Sequence, residues 1–339
     1  MTDDDTTVRI PVPRTVAPAP AARGPGGGLR LAILGGAVLT AGAGAVLAWL
    51  WLGRGPAEPP PKPEDPAAAA PPSVPVPSSP VAPAMAPPRL LPAIGPPIAS
   101  QAEILAHRAT APTVFRLAEN PSVFVIDFPG LAAQGAALNR VAALVEKVAQ
   151  PRDRVLDDVA LARAIAASGD TPATYYYGHN YRGRDLERFF ALAARDGIAL
   201  TPEETWLRDE LTRLRRLVPA PEEFAVITVP GLESLVDPAM RGAILHHEIG
   251  HGHFFTNPRF AAHVAHVWRE VMTEAERTAF RAFLQREGYD PALEEVMMNE
   301  AMAYLLFTPD QRFFTPSHAG LTEARAAMLA AALREGAPR

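Results

Sequence analysis

Three residues in the chain, His247, Glu248 and His251, form the pattern H-E-x-x-H. Residues four apart on an α-helix lie on one face, so two histidines at this spacing can bind one metal ion from the same side. Glu248 lies about 100° around the helix from His247, near enough to take a proton from water on the metal without binding the metal. Zn²⁺ suits two imidazoles and a carboxylate, with a fourth position left for water. We therefore predict a site for one zinc ion, with Glu248 as the general base.

The motif is expected to lie on a partly buried helix. Asp237 and Pro238 have the residue types of an N-cap and a first helical position. The neighbours of His247 on the same helix face are apolar or small, which predicts that this face is buried. The alternative is two buried histidines satisfied by hydrogen bonds, with Glu248 as a solvated charge. That arrangement is disfavoured because two buried imidazoles beside a carboxylate are costly without a shared ligand.

A third ligand is predicted at Glu300. Asp290 and Pro291 indicate the start of another helix, on which Glu300 is a single carboxylate in an apolar stripe. A carboxylate in such a place is protonated, ion-paired or bound to a cation. The alternative is a buried Glu300 paired with one of the many arginines. Glu294 and Glu295 lie in the first turn, where the helix dipole accounts for them.

The two motif helices together resemble the gluzincin branch of the zincin metallopeptidases, whose second motif is N-E-x-x-A. The resemblance spans roughly residues 237–307 and implies an α+β, zincin-like fold that is mostly helical with a small sheet. It also implies zinc ligation by the two motif histidines and Glu300. One difference is that no acidic residue follows Glu300 where several subfamilies have one that orients a ligand histidine. The matching residues are His247, Glu248, His251, Asn299, Glu300 and Ala303.

Further residues near the motifs are candidates for supporting roles. His246 and His253 flank the metal motif and are candidate oxyanion donors. Tyr304, one turn after Glu300, is a candidate hydrogen-bond partner for a metal ligand, with core packing as the alternative. The aromatic segment 175–181 could line a cleft or supply an oxyanion donor, but a packed turn is the favoured interpretation.

The first part of the chain predicts membrane attachment. Residues 1–28 have the composition of a disordered tail. Residues 29–52 are predicted to be one transmembrane anchor, because positions 31–52 contain no charged residue and would form a helix of ~33 Å. Residues 53–98 form a Pro/Ala-rich linker, and residues 99–339 are the predicted metallopeptidase domain.

The charges around the anchor favour one orientation. Arginines before residues 29–52 weakly favour a cytoplasmic N-terminus, which in a bacterium would place the domain in the periplasm beside the inner membrane. A cytoplasmic domain is the alternative. Small residues at Gly36, Thr40 and Gly44 could make a homodimer through the anchor.

Composition excludes several functional classes. The chain has no cysteine, which excludes disulfides, thiolate metal ligands and a cysteine nucleophile. A net charge of −5 argues against nucleic acid as a partner.

Periodicity predicts the remaining elements of the domain. Strands are expected at residues 113–117 and 122–127 around a turn, and at residues 223–229. The zincin resemblance implies that the last of these edges the cleft and pairs with extended peptide. The other predicted helices are 131–150, 156–167, 184–195, 202–217, 258–272, 274–287 and 322–334.

The sequence thus predicts a membrane-anchored zinc metallopeptidase with a peptide or protein substrate. One alternative is a non-catalytic binding or scaffold domain in which zinc joins two helices. Glu248 disfavours it, because a structural zinc site does not need a base. The other alternative is a zinc hydrolase that acts on a non-peptide carbonyl, which the sequence leaves open.

Overall fold

A computed structural model describes residues 95–145 and 147–338. The predicted tail and anchor and most of the linker lie outside the described residues. Within the described ranges, no helix has both the length and the apolar character needed to cross a bilayer. The first described strand begins at Ile98, one residue before the predicted start of the domain.

The described chain is an α+β fold, mostly helical, around a five-stranded mixed sheet. The strands are β1 Ile98–Ala99, β2 Thr113–Leu117, β3 Val123–Phe128, β4 Asn180–Arg182 and β5 Ala225–Pro230. Their spatial order is β1-β2-β3-β5-β4. β2 and β3 correspond to the two strands predicted around a turn, and they pair antiparallel. β1 lies parallel to β2, and β5 lies parallel to β3 and antiparallel to β4.

Ten α-helices pack on and beside this sheet in the described ranges. They are α1 Gln101–Ala106, α2 Leu131–Val145, α3 Asp158–Ala167, α4 Gly183–Arg195, α5 Pro202–Leu217, α6 Pro238–Thr256, α7 Pro258–His266, α8 Glu274–Arg286, α9 Glu294–Phe307 and α10 Glu323–Gly336. α7 continues into a π-helical turn at Val267–Val271, and a 3₁₀ turn covers Pro316–Ala319.

The core has a layer on each face of the sheet. Alternate residues of β3 and β5 point to opposite faces, and both strands are buried throughout, as expected of central strands with helices on both sides. Val125 and Ile227 pack on α6, whereas Phe124 and Val226 pack on the side of α2, α4 and α5. A further apolar cluster joins α8, α9 and α10.

The order of the strands corrects one expectation. β5, which includes most of the predicted strand 223–229, lies between β3 and β4 and therefore cannot add a peptide along a free edge. The edge position on the metal-motif side belongs to β4, a strand of three residues that local periodicity does not predict. Strand β1 and helix α1 are likewise not predicted by the sequence pattern.

The helix that carries Glu300 also begins later than its sequence signal indicates. Asp290 accepts hydrogen bonds from the backbone of Ala292 and Leu293, which form a turn. α9 then begins at Glu294. The helix remains long enough to place Glu300 in its middle.

α6 is held firmly against the sheet. Asp237 caps its first turn by accepting from the Met240 amide at 2.7 Å. The buried Arg241 donates to both carboxylate oxygens of Asp127 on β3, at 2.8 and 3.0 Å, and to the carbonyl of Ile104 on α1 at 2.9 Å. These bonds fix the rotation of α6 about its axis and its position relative to β3 and α1.

Two glycines allow α6 to approach its neighbours closely. A Cβ at Gly252 would lie 2.9 Å from Val123 on β3, and one at Gly250 would lie 2.6 Å from the ring of Phe307 on α9. Contacts this short exclude a side chain. The glycines therefore permit the close packing that brings α6 and α9 together.

Candidate metal centre

His247 and His251 on α6 meet Glu300 on α9. The two Nε2 atoms are 3.0 Å apart. Nε2 of His247 is 3.8 Å from one carboxylate oxygen of Glu300, and Nε2 of His251 is 3.7 Å from the other. All three side chains are buried, and together they form a group that can bind one metal ion.

The spacing of these atoms fits a small metal ion. Ligands about 2.0–2.1 Å from a tetrahedral ion lie about 3.3 Å from one another. The observed separations of 3.0, 3.7 and 3.8 Å lie on either side of that value. Small adjustments of the side chains would bring all three atoms to bonding distance.

Both imidazoles are held through their other nitrogen. Nδ1 of His247 lies 2.7 Å from the hydroxyl of Thr308, and Nδ1 of His251 lies 3.0 Å from the side-chain oxygen of Asn299. These contacts orient the rings so that each Nε2 faces Glu300. Asn299 belongs to the second sequence motif, but nothing in the local pattern points to Thr308, which follows the end of α9.

Burial keeps the two histidines neutral. It lowers the pKa of His251 to about 3, although the hydrogen bond with Asn299 opposes the shift. The pKa of His247 is lowered well below its ordinary value by burial first, and then by the nearby His251 and His246. Neutral imidazoles are the form that binds a metal ion.

Glu248 lies against the edge strand. Its Oε2 accepts a hydrogen bond of 2.8 Å from Nδ2 of Asn180 on β4. A Cβ at Gly178 would lie 2.3 Å from Oε1 of the same carboxylate, so the backbone before β4 runs directly beside it. Segment 178–180 therefore lies against the carboxylate of Glu248, the residue that follows the candidate ligand His247 in the sequence.

Tyr304 packs directly against the ring of His247. Its ring centroid is 5.1 Å from that of His247 at an interplanar angle of 67°. The same ring contacts Phe283 and Phe314, at 5.1 and 5.3 Å. These contacts agree with the core-packing alternative. A hydrogen bond from Tyr304 to a ligand stays a prediction.

His246 and His253 lie on other faces of α6. Nδ1 of His246 is within 3.3 Å of the Gln101 amide nitrogen, and Nδ1 of His253 accepts from Nδ2 of Asn120 at 3.0 Å. Both rings lie near Phe307. The structure therefore does not bring them into the metal-binding group, and their proposed oxyanion role remains a prediction.

The aromatic segment 175–181 is buried, as the packed-turn interpretation predicts. The ammonium group of Lys147 lies over the rings of Tyr175 and Tyr176, at 4.3 and 5.0 Å. The end of the segment forms β4 and supplies Asn180 to Glu248. The composition of the segment does not reveal this polar contact.

The fold and the site define an α+β protein with a buried His-His-Glu group that can bind one metal ion. Comparisons with protein-family models, curated proteins and solved structures gave no match to this chain. Its zincin resemblance therefore rests on the two motifs alone.

Proposed function

We propose that the protein is a zinc metallopeptidase of the zincin type that hydrolyses peptide bonds. His247, His251 and Glu300 are the zinc ligands, and Glu248 is the general base. The observation that carries the proposal is the meeting of a three-ligand group from two helices with an adjacent buried carboxylate. A purely structural zinc site is usually closed by four protein ligands and has no role for Glu248.

The donor set supports zinc as the ion. Two neutral imidazoles and one carboxylate match the three-ligand arrangement of catalytic zinc sites, with a fourth position left open. Glu248 and Glu300 are both buried, and together they carry two negative charges when ionised. A divalent cation would balance both charges where water cannot solvate them.

The residues around the proposed zinc site have separate roles in the reaction. Zinc, when bound, supplies Lewis acidity that polarises a carbonyl oxygen and makes water more acidic. Asn180 restrains Glu248 through its amide hydrogen bond to Oε2, and the carboxylate accepts a proton from the attacking water. The same carboxyl then returns that proton to the leaving amine. Asn299 and Thr308 keep the two imidazoles in their binding orientation.

A peptide is the favoured substrate because of the sheet edge beside Glu248. Among the described strands, β4 pairs with β5 alone. All three residues of β4 are buried, so an extended peptide can add to this edge through main-chain hydrogen bonds only when the segments that cover the strand move. This position is consistent with the zincin resemblance and supports a peptide or protein substrate.

The proposal includes attachment to a membrane. The uncharged run within residues 29–52 supports a single-pass anchor, and the Pro/Ala-rich linker supports a domain held away from the bilayer. In a bacterium this anchor would lie in the inner membrane and hold the domain in the periplasm, with a cytoplasmic domain as the alternative, and it would offer a surface for a homodimer.

The test compares four full-length proteins: the wild type, His247→Ala, Glu300→Ala and Glu248→Gln. We expect one zinc ion per wild-type chain by elemental analysis, and loss of zinc in both ligand variants. Glu248→Gln should retain zinc but lose peptide hydrolysis by about 10²–10⁴-fold, the contribution typical of a general base. Cleavage is measured on a mixed peptide library by mass spectrometry.

Three results would contradict the proposal. A wild-type chain that takes up no zinc when supplied with it would exclude the metal centre. Zinc binding without any Glu248-dependent cleavage would favour the scaffold alternative. Glu248-dependent hydrolysis of esters, with peptides left intact, would favour a hydrolase that acts on non-peptide carbonyls.

A further inference from the structure

Thr308 joins the end of α9 to a ligand histidine on α6. Its hydroxyl donates to the carbonyl of Ala303 at 2.9 Å, which folds the residue back over the last turn of α9. The same oxygen lies 2.7 Å from Nδ1 of His247. One side chain therefore contacts both the helix that carries Glu300 and the imidazole that faces it.

The hydrogen count of this contact determines the state of the imidazole. A hydroxyl has one proton to donate. The Ala303 carbonyl can only accept, so the hydroxyl proton of Thr308 is used there. The bond to His247 then requires the ring to donate through Nδ1–H. In a neutral imidazole this leaves the lone pair on Nε2, the atom that faces Glu300.

The same reasoning applies to His251. Its Nδ1 lies 3.0 Å from the side-chain oxygen of Asn299, which accepts and does not donate. Both Nε2 atoms therefore carry lone pairs, 3.0 Å apart and facing one carboxylate. Two lone pairs this close repel one another, and a cation bound by both nitrogens would relieve that repulsion.

We propose that Thr308 is a positioning residue of the metal centre, which selects the Nδ1–H tautomer of His247 and aims its Nε2 at the ion. It takes the place of the acidic residue that orients a ligand histidine in several gluzincin subfamilies and that this chain lacks. Because a hydroxyl is neutral, it orients the ring without adding negative charge to a site that already contains Glu248 and Glu300. This inference depends on the proposed metal centre.

A purely structural role for Thr308 makes a different prediction. If Thr308 only ends α9 by bonding to the Ala303 carbonyl, its loss should lower the stability of the fold and leave the zinc affinity of the folded protein unchanged. If it positions His247, zinc affinity falls even when the protein is folded. Metal affinity and the position of the imidazole proton therefore distinguish the two roles.

The experiment compares Thr308→Val, Thr308→Ser and a control, Thr212→Val, in the full-length protein. Thr212 is exposed on α5 and also donates its hydroxyl to a helix carbonyl, that of Arg208 at 2.9 Å. Zinc affinity is measured by competition with a chromophoric chelator. We expect Thr308→Val to weaken zinc binding by about 10–100-fold, the usual effect of losing a residue that orients a ligand. Thr308→Ser and Thr212→Val should bind like the wild type.

A second measurement needs no substitution at Thr308. Nitrogen–proton NMR of the metal-free wild type, with His247 assigned by comparison with His247→Ala, should place the ring proton on Nδ1. A proton on Nε2 would overturn the proposal, as would wild-type zinc affinity in a folded Thr308→Val protein. His247→Ala separates this failure from failure of the metal centre, because zinc binding that survives this variant refutes the centre itself.

Discussion

Asn180 donates a hydrogen bond of 2.8 Å to Oε2 of Glu248. This bond joins the edge strand β4 to the helix that carries two of the proposed metal ligands. It holds one oxygen of the proposed base and leaves the other beside the backbone of Gly178. The position of the carboxylate thus depends on a strand that lies far from it in sequence.

Replacement of Asn180 should impair catalysis without loss of metal. In Asn180→Ala, Glu248 loses its restraint, and we expect kcat to fall by up to about 100-fold because the reacting groups are misplaced. Asn180→Asp should be more severe, since two adjacent carboxylates share a proton and the base is no longer free to accept one. Zinc content and steady-state kinetics are measured on the same samples.

Asn120→Ala, which removes an amide bonded to His253 on another face of α6, is the control. Wild-type kcat in Asn180→Ala would contradict the assignment.

Gly178→Ala tests the close contact at the other carboxylate oxygen. The added methyl group would lie 2.3 Å from Oε1 of Glu248 and 3.0 Å from a methyl carbon of Ile244. Either the strand or the carboxylate must move, so we expect a large loss of hydrolysis with one zinc ion still bound. Elemental analysis and a peptide cleavage assay report the two properties. Loss of zinc together with activity would instead show that the whole site has been displaced.

The same substitution at two places on α6 should change stability in opposite directions. Gly242 has no atom within 4 Å of an added Cβ, so Gly242→Ala should stabilise the helix by roughly 0.5–1 kcal/mol. Gly252→Ala would force a methyl group to 2.9 Å from Val123 on the central strand β3, and overpacking of this kind costs roughly 1–3 kcal/mol. Urea denaturation gives both free energies of unfolding. A stabilised Gly252→Ala protein would show that α6 does not pack on the sheet as described.

The stability of the metal-free protein should fall in acid because of buried histidines. Burial lowers the pKa of His179 from its ordinary value of 6.5 to about 3, and its ring lies 2.9 Å from the Tyr181 hydroxyl. Between these pKa values the unfolded chain binds a proton that the folded chain does not. The free energy of unfolding therefore decreases as pH falls from about 6.5 to about 3, by up to about 1.4 kcal/mol per pH unit for this one group. Above about pH 6.5, His179 is neutral in both the folded and the unfolded chain and does not contribute to the pH dependence of the free energy of unfolding.

His179→Phe provides the check on this pH dependence. His251 and His253, whose pKa values burial lowers to about 3 and about 4, act in the same direction, so the variant should have a shallower slope and not a flat one. Denaturation midpoints of the metal-free variant and the metal-free wild type are compared between pH 4 and pH 6. In this range the dependence of the midpoint on pH should differ between the two proteins. Identical slopes would show that His179 is not buried in its neutral form.

Much of the candidate metal centre could be predicted because its sequence signals are local. The four-residue spacing of His247 and His251 places them on one face of any helix, and Asp237 with Pro238 indicates where that helix begins. Glu300 stands out because it is a carboxylate in an apolar stripe, and the structure places it beside both histidines. Its identification needs only the periodicity of its own helix.

The strand next to the base had no comparable signal. β4 has three residues, too few for an alternating pattern, and it is extended because it pairs with β5. Asn180 gains its role from that pairing, which directs its amide towards Glu248. The expectation that residues 223–229 edge the cleft was wrong for the same reason, since strand order is set by contacts between distant segments.

The sequence by itself determined the residue types, the helix face and the spacing from which a metal site can be built, because these follow from the geometry of a single helix. Only the tertiary structure decided how the rest of the site is arranged: Asn180 beside Glu248, and Thr308 behind His247. Both contacts join side chains on separate elements. Their formation depends on how α6 packs on β5 and α9, which no local pattern encodes.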